Sequence, residues 1–210
     1  MPSPPTPAMH RGHVNAALLI SAQSATWTIL TSTLAVGLGF HAHTVVLVAF
    51  GAIGYLDAIG SLALVHHFRH GLRNDELSDH LERAAHRIVL GGLLVVGTAS
   101  LVTGLVRLDS THRAGSSSAG VVLAAVSFVA LIVLSIRKQR IARQVHSKAL
   151  LSDGHLSAIG AAQAVVALAG TAIARWLDWQ WADGAATAVI GAVAVGLVVG
   201  TLLHEARTGP

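Results

Sequence analysis

No cysteine occurs among the 210 residues. Disulfides and thiolate metal sites are therefore excluded, and any bound metal must rely on Asp, Glu, His, hydroxyl, carbonyl or water ligands. That chemistry suits zinc, manganese, iron, cobalt or nickel better than copper(I). Charge is scarce as well: Asp, Glu, Lys and Arg make up 11% of the chain, while 53% is hydrophobic. A soluble domain carries about 25% charged residues, so this composition is that of an integral membrane protein. The apolar runs are long and continuous rather than short and alternating, which excludes a β-barrel and leaves an all-α membrane protein. No phosphate-binding glycine loop, nucleophile elbow or HExxH stands in the sequence. An enzyme is not expected, nor ATP-driven transport by this chain alone. The net charge of +4 does not indicate nucleic acid, because the basic residues fall between the apolar runs.

What the chain has instead is a bundle of apolar stretches. Residues 1–13, Pro-rich and polar, read as a disordered tail; 14–206 as a transmembrane domain of six helices; 207–210 as a short C-terminal tail. The six spans fall at about 14–38, 44–66, 86–106, 119–136, 149–174 and 181–203, each near the roughly 20 residues a bilayer requires. The N-terminal apolar segment is too long for the core of a signal peptide and is taken as the first span. With both termini in the cytoplasm, the inner segments hold Arg11, Arg69, Arg73, Arg83, Arg87, Arg137, Lys138, Arg140, Arg143, Lys148 and Arg207. The outer ones hold only Arg107, Arg113 and Arg175. This bias sets the expected orientation of a multi-pass protein of the plasma (inner) membrane. Trp176, Trp179 and Trp181 cluster in the last outer loop, as an interfacial aromatic belt does. The many small residues of the sixth span permit close helix packing and need no chemistry to explain them.

The residue most in need of explanation is Asp57, in the run GAIGYLDAIGSLALV at 51–65. A carboxylate in the middle of a membrane helix costs about 2.5–3.5 kcal/mol on insertion scales. An ion or proton site is the reading; a structural Asp bonded to a neighbouring helix is the alternative. A second constellation is SDGHLSAIG at 152–160, with Asp153, His155 and Ser157. On a regular helix Asp153 and Ser157 share a face and His155 points roughly the other way, whereas an irregular first turn would let Asp153 and His155 converge. Asp153 could equally cap the helix start. The segment 66–87, with five histidines and four acidic residues, pairs Asp75 with Asp79, Glu76 with His80 and Asp79 with Arg83 at i, i+4; it reads as a solvated amphipathic stretch, with no closed zinc module. His41-Ala42-His43 is a weak metal signal in the first outer loop.

Together these features resemble the transmembrane domain of the cation diffusion facilitator family, over about 14–206. The stretch AFGAIGYLDAIGSLAL is similar to the second-span pattern ADALxSLxDxxxSLxxL, with Asp57 on its second Asp and Ile53 on its first. ELSDHLERAAHR resembles a degraded FGHGKAE, with His80 on the histidine. KALLSDGHLSAIGAAQAVVALAG resembles the fifth-span pattern ADxLHSxxDxxxSxxxLxG. There His155 lies nearest the histidine and Ile159 falls on the downstream Asp; a register one residue out of step sets Asp153 on the upstream Asp instead. WQWADGAATAVIGAVAV resembles WWxxDPxAALxIGxxIxx, with Asp183 on its Asp. The family's cytoplasmic C-terminal domain has no counterpart after the last span, so a reduced, divergent member is expected.

The resemblance implies a secondary transporter that exchanges a divalent cation for protons, with efflux the expected direction. Zinc is the first candidate, and manganese, iron or cobalt are others. It implies metal ligands Asp57, Asp153 and His155, completed by water, and a possible homodimer in the lipid bilayer. A carrier of protons or monovalent cations, and a non-transporting scaffold or partner subunit of the same fold, are the competing expectations.

Overall fold

The computed structural model describes the chain except residues 1–6, 71–74, 109–117, 146, 178, 180 and 209–210. Side chains of 7–14, 67, 68, 70, 75–86, 88, 89, 148, 149, 205, 206 and 208 also lie outside the described residues. Among the described residues there are six helices and no strand: α1 Pro7–His41, α2 Val45–His70, α3 Asp75–Leu108, α4 Ser118–Val145, α5 Lys148–Trp176 and α6 Trp181–Thr208. Five of them carry segments long and apolar enough to cross a membrane: Val45–His66, Leu90–Leu108, Ser118–Val145, Leu150–Trp176 and Trp181–His204. This is an all-helical, multi-pass integral membrane protein. α1 covers the expected first span but is not one of the five. Ser21, Gln23, Ser24, Thr26, Thr28, Thr31, Ser32 and Thr33 dilute its hydropathy. Most helices outlast the expected spans, above all α3, which starts at Asp75, α4, which ends at Val145, and α1, which starts at Pro7. Proline suits a first helical turn, where its missing N–H has no intrahelical partner in any case.

Three antiparallel helix pairs make the largest interfaces: α1 with α2, α3 with α6 and α4 with α5. The α3–α6 crossing depends on glycine. A Cβ on Gly104 would strike the backbone of Ala188 and Gly184, and one on Gly191 the backbone of Leu101 and Gly97. Backbones that approach this closely leave no room for a side chain. The small-residue stripe of α6 is thus used for packing, as read from the sequence. Large apolar side chains such as Leu19, Leu30, Val95, Val106, Val122, Val129 and Leu203 point outward. In a membrane protein the lipid is the solvent for such residues, and the interior is free to be the more polar part.

The interior carries many polar side chains. Ser21, Ser24, Thr28, Ser32, Ser61, Ser127, Ser135, Ser157, Gln163, Thr171 and Thr187 are buried, together with Lys138, Asp153 and Asp183. Two apolar clusters flank them. One centres on Val46, Phe50, Ile53, Leu93, Leu131, Ile190 and Val198, the other on Ile20, Leu64, Leu134 and Leu150.

Asp183 holds one end of the bundle together. Its carboxylate accepts hydrogen bonds from the backbone N–H of Val45 (3.1 Å) and Val46 (3.2 Å), the first residues of α2. Arg107 of α3 lies 3.8 Å from the same carboxylate and donates to the carbonyl of His43 (3.2 Å). The first amides of a helix have no intrahelical acceptor; here an acidic residue of α6 supplies one across the chain. His43 takes a left-handed backbone, φ 53°, and so completes the tight turn between α1 and α2. The family position on which Asp183 falls is therefore occupied by a helix cap, away from the interior cavity described next.

Candidate functional site

On α2, Ile53, Asp57 and Ser61 recur every four residues and form one inward stripe. Asp57 lines an interior cavity of about 50 Å³. That is room for roughly three water-sized groups. All six helices contribute to its wall: Thr28, Thr31 and Ser32 from α1, Phe50, Ile53 and Gly54 from α2, Leu93 from α3, Leu131 from α4, Leu197 from α6, and Leu156, Ile159, Gly160 and Gln163 from α5. Most of this wall is apolar. Asp57 Oδ1 is buried and makes no well-formed hydrogen bond among the described residues; the Thr28 hydroxyl, on the same wall, is close enough to interact with the carboxylate but is not aligned to bond it. A buried carboxylate oxygen without a well-formed hydrogen bond is rare enough to need a reason.

One turn along α2, Ser61 opens a second cluster. Lys138 of α4 is completely buried, and its ammonium lies 2.7 Å from Asp153 Oδ2. It donates to Ser157 Oγ (2.9 Å) and Ser61 Oγ (3.2 Å). Ser61 in turn donates to Asp153 Oδ1 (3.1 Å). An ammonium has three donors, and all three find acceptors here. Three helices are thereby joined by one buried ion pair. Lys138 and Asp153 are also the charged groups whose fields reach Asp57.

Sequence reasoning missed Lys138, because it stands in the basic run Arg137, Lys138, Arg140, Arg143 and reads as one more loop cation. The signal was in the helical period. The buried face of α4 runs Gly120, Ala124, Ser127, Leu131, Ser135, Lys138, Ala142, and only Lys138 of the basic residues falls on it.

The three residues expected as metal ligands are placed differently from one another. Asp57 faces the cavity. Asp153 is buried but engaged by Lys138 and Ser61. His155 is exposed, on the face of α5 opposite Asp153 and Ser157. The capping alternative for Asp153 does not hold: α5 begins at Lys148, and its cap is Ser147, whose Oγ accepts from Leu150 N (3.2 Å). The second turn of the helix, where Asp153 lies, needs no cap.

Ile53 and Ile159, aliphatic at positions where the resemblance expects ligands, do converge on the cavity beside Asp57. With α5 read one residue out of step, the equivalent positions become Leu156 and Gly160, which also line it. The cavity thus lies where the second and fifth helices meet, and of those positions only Asp57 carries a charge. The oxygens around it come from Asp57, Thr28, Thr31, Ser32 and Gln163, a hard donor set. Among the described residues no group of three His, Asp or Glu is close enough together to hold a metal. Most side chains of the 66–87 segment, His80 included, lie outside the described residues. His41 and His43 sit at the surface of the α1–α2 turn.

Chemically, this arrangement is a largely apolar pocket with one carboxylate and a few hydroxyl and amide groups, next to a second carboxylate neutralised by a lysine. Compared with known proteins, the chain matches no family model, and no curated protein is measurably similar to it.

Proposed function

We propose that this chain is a secondary transporter that carries a cation through the cavity at Asp57, in exchange for protons, by alternating access. One observation carries this reading: Asp57 lines an interior cavity, and its buried Oδ1 has no well-formed hydrogen bond among the described residues. A carboxylate kept in that state inside a membrane bundle is a place for a cation or a proton. The protein crosses the membrane six times, α1 included, with both termini on the cytoplasmic side, on the strength of the Lys and Arg bias. The resemblance to the cation diffusion facilitators supports the class of activity and implies a divalent, zinc-like cargo. The meeting of positions 53, 57 and 159 at one cavity supports the same comparison.

The test is flux through purified protein in proteoliposomes, with and without a pH gradient, for zinc, manganese, iron, cobalt, sodium and potassium. Gradient-driven flux of one of these, abolished in Asp57→Asn, is the expected result. A second reading is a non-transporting subunit of the same architecture. The aliphatic side chains of Ile53, Leu156 and Ile159 at the cavity favour it. Folded wild-type protein that moves none of these cations, and does not dissipate a pH gradient, would establish that reading instead.

A further inference from the structure

We propose that Lys138 determines the charge of the cargo: its buried ammonium is a resident cation that restricts the Asp57 cavity to a singly charged ion. This rests on the cavity taking a cation at all. The ammonium is bonded to Ser61, which stands four residues and one turn from Asp57, a rise of about 6 Å along α2. It is fully buried and held on three acceptors, so it stays in place whether or not the cavity is filled. Lys138 and Asp153 cancel, and Asp57 leaves the pocket with one negative charge. A singly charged cation neutralises it. A divalent cation would leave a net positive charge between apolar walls and would feel twice the repulsion from Lys138. Nor does the pocket offer a second anionic or imidazole ligand: Asp57 shares it only with hydroxyl and amide groups, whereas zinc sites are built on several such ligands. A small alkali cation with a water or two, like the protons it exchanges with, matches the charge, and it fits a volume of about 50 Å³.

The charge of this pocket can be changed without touching Asp57. Lys138→Met gives two uncompensated carboxylates, Asp153→Asn leaves none, and the double variant Lys138→Met/Asp153→Asn restores one. Binding is measured on the purified full chain by equilibrium dialysis of labelled sodium, manganese and zinc, with proton movement followed by quenching of a pH dye in proteoliposomes. Wild type is expected to take sodium or protons at least tenfold in preference to manganese and zinc. Lys138→Met should shift that preference toward the divalent ions by tenfold or more. Asp153→Asn should weaken all cation binding at least tenfold, and the double variant should return to wild-type selectivity.

Sodium uptake distinguishes an alkali cargo from a proton. If Lys138→Met does not fold, Asp153→Asn against the double variant still decides. Selectivity that stays the same across this series, with binding still lost in Asp57→Asn, overturns the role of Lys138 and leaves the Asp57 cavity standing. Divalent preference in wild type overturns it as well. Cation binding that is indifferent to Asp57→Asn removes the cavity reading itself, and the role of Lys138 with it.

Discussion

Asp57 Oδ1 gives up the hydrogen bonds it would make in water and receives no well-formed one from the described residues in return. An unsatisfied buried polar atom costs about 1–3 kcal/mol. Asp57→Asn leaves a buried polar group but removes its charge at constant shape, and is therefore expected to stabilise the folded protein while abolishing transport. Thermal denaturation of the detergent-purified protein, followed by circular dichroism, measures the first effect. A loss of stability would mean that the carboxylate is a structural anchor. Lys138 presents the opposite case. Its ion pair with Asp153 is fully satisfied, so Lys138→Ala strands a carboxylate and should cost about 3–5 kcal/mol. Lys138→Met/Asp153→Asn removes both charges together, and its cost should fall well below the sum of the single substitutions, a coupling that a double-mutant cycle reads directly.

At the scale of the helices, two devices set how the bundle closes. The first is the cap that α6 provides for α2. Asp183→Ala leaves the amides of Val45 and Val46 without their acceptor, and loss of such a cap costs about 1–2 kcal/mol. Protease accessibility at the α1–α2 turn should rise with it, since His43 and Arg107 belong to the same contact. The second is the α3–α6 crossing. Gly104→Val inserts a side chain where only backbone fits, and overpacking of this kind costs about 1–3 kcal/mol. A Cβ on Gly196, by contrast, meets nothing within 4 Å. Gly196→Ala should gain the helix preference of alanine, about 0.5–1 kcal/mol. Chemical denaturation of both variants separates packing from propensity.

For the whole molecule, the absence of cysteine makes topology directly measurable. A single cysteine placed at His43, on the α1–α2 turn, and one at Gln144, near the end of α4, both replace exposed residues. In membrane vesicles of known orientation, an impermeant thiol reagent should modify Gln144→Cys from the cytoplasmic side and His43→Cys from the other. Labelling of both from one side would remove the six-span arrangement and, with it, the reading of the Asp57 cavity as a path across the membrane. Much of this architecture was legible in the chain. Long apolar runs gave the helices, and the small residues of α6 gave a packing face. The i, i+4 spacing of Asp153 and Ser157 put them on one side of α5; whether His155 joined them depended on the first turns, and only the regular helix from Lys148 set it on the other side. Asp57 was conspicuous because nothing else in its run is charged. Lys138 was not, because a lysine among arginines at the end of a span is what a membrane boundary ordinarily carries; only its phase on α4 set it apart.

Composition and local pattern alone determined that this chain is helical, that it belongs in a membrane, and that α2 carries a carboxylate in its apolar run. Those properties depend on how single segments partition between water and lipid, which each segment settles for itself. Only the tertiary structure decided the partners of the charges. Asp153 is neutralised by Lys138, Asp183 caps α2 across more than a hundred residues of chain, His155 faces away, and Asp57 is left facing a cavity. Electrostatic pairing depends on distances between helices, and these follow from the register and rotation of each helix in the bundle.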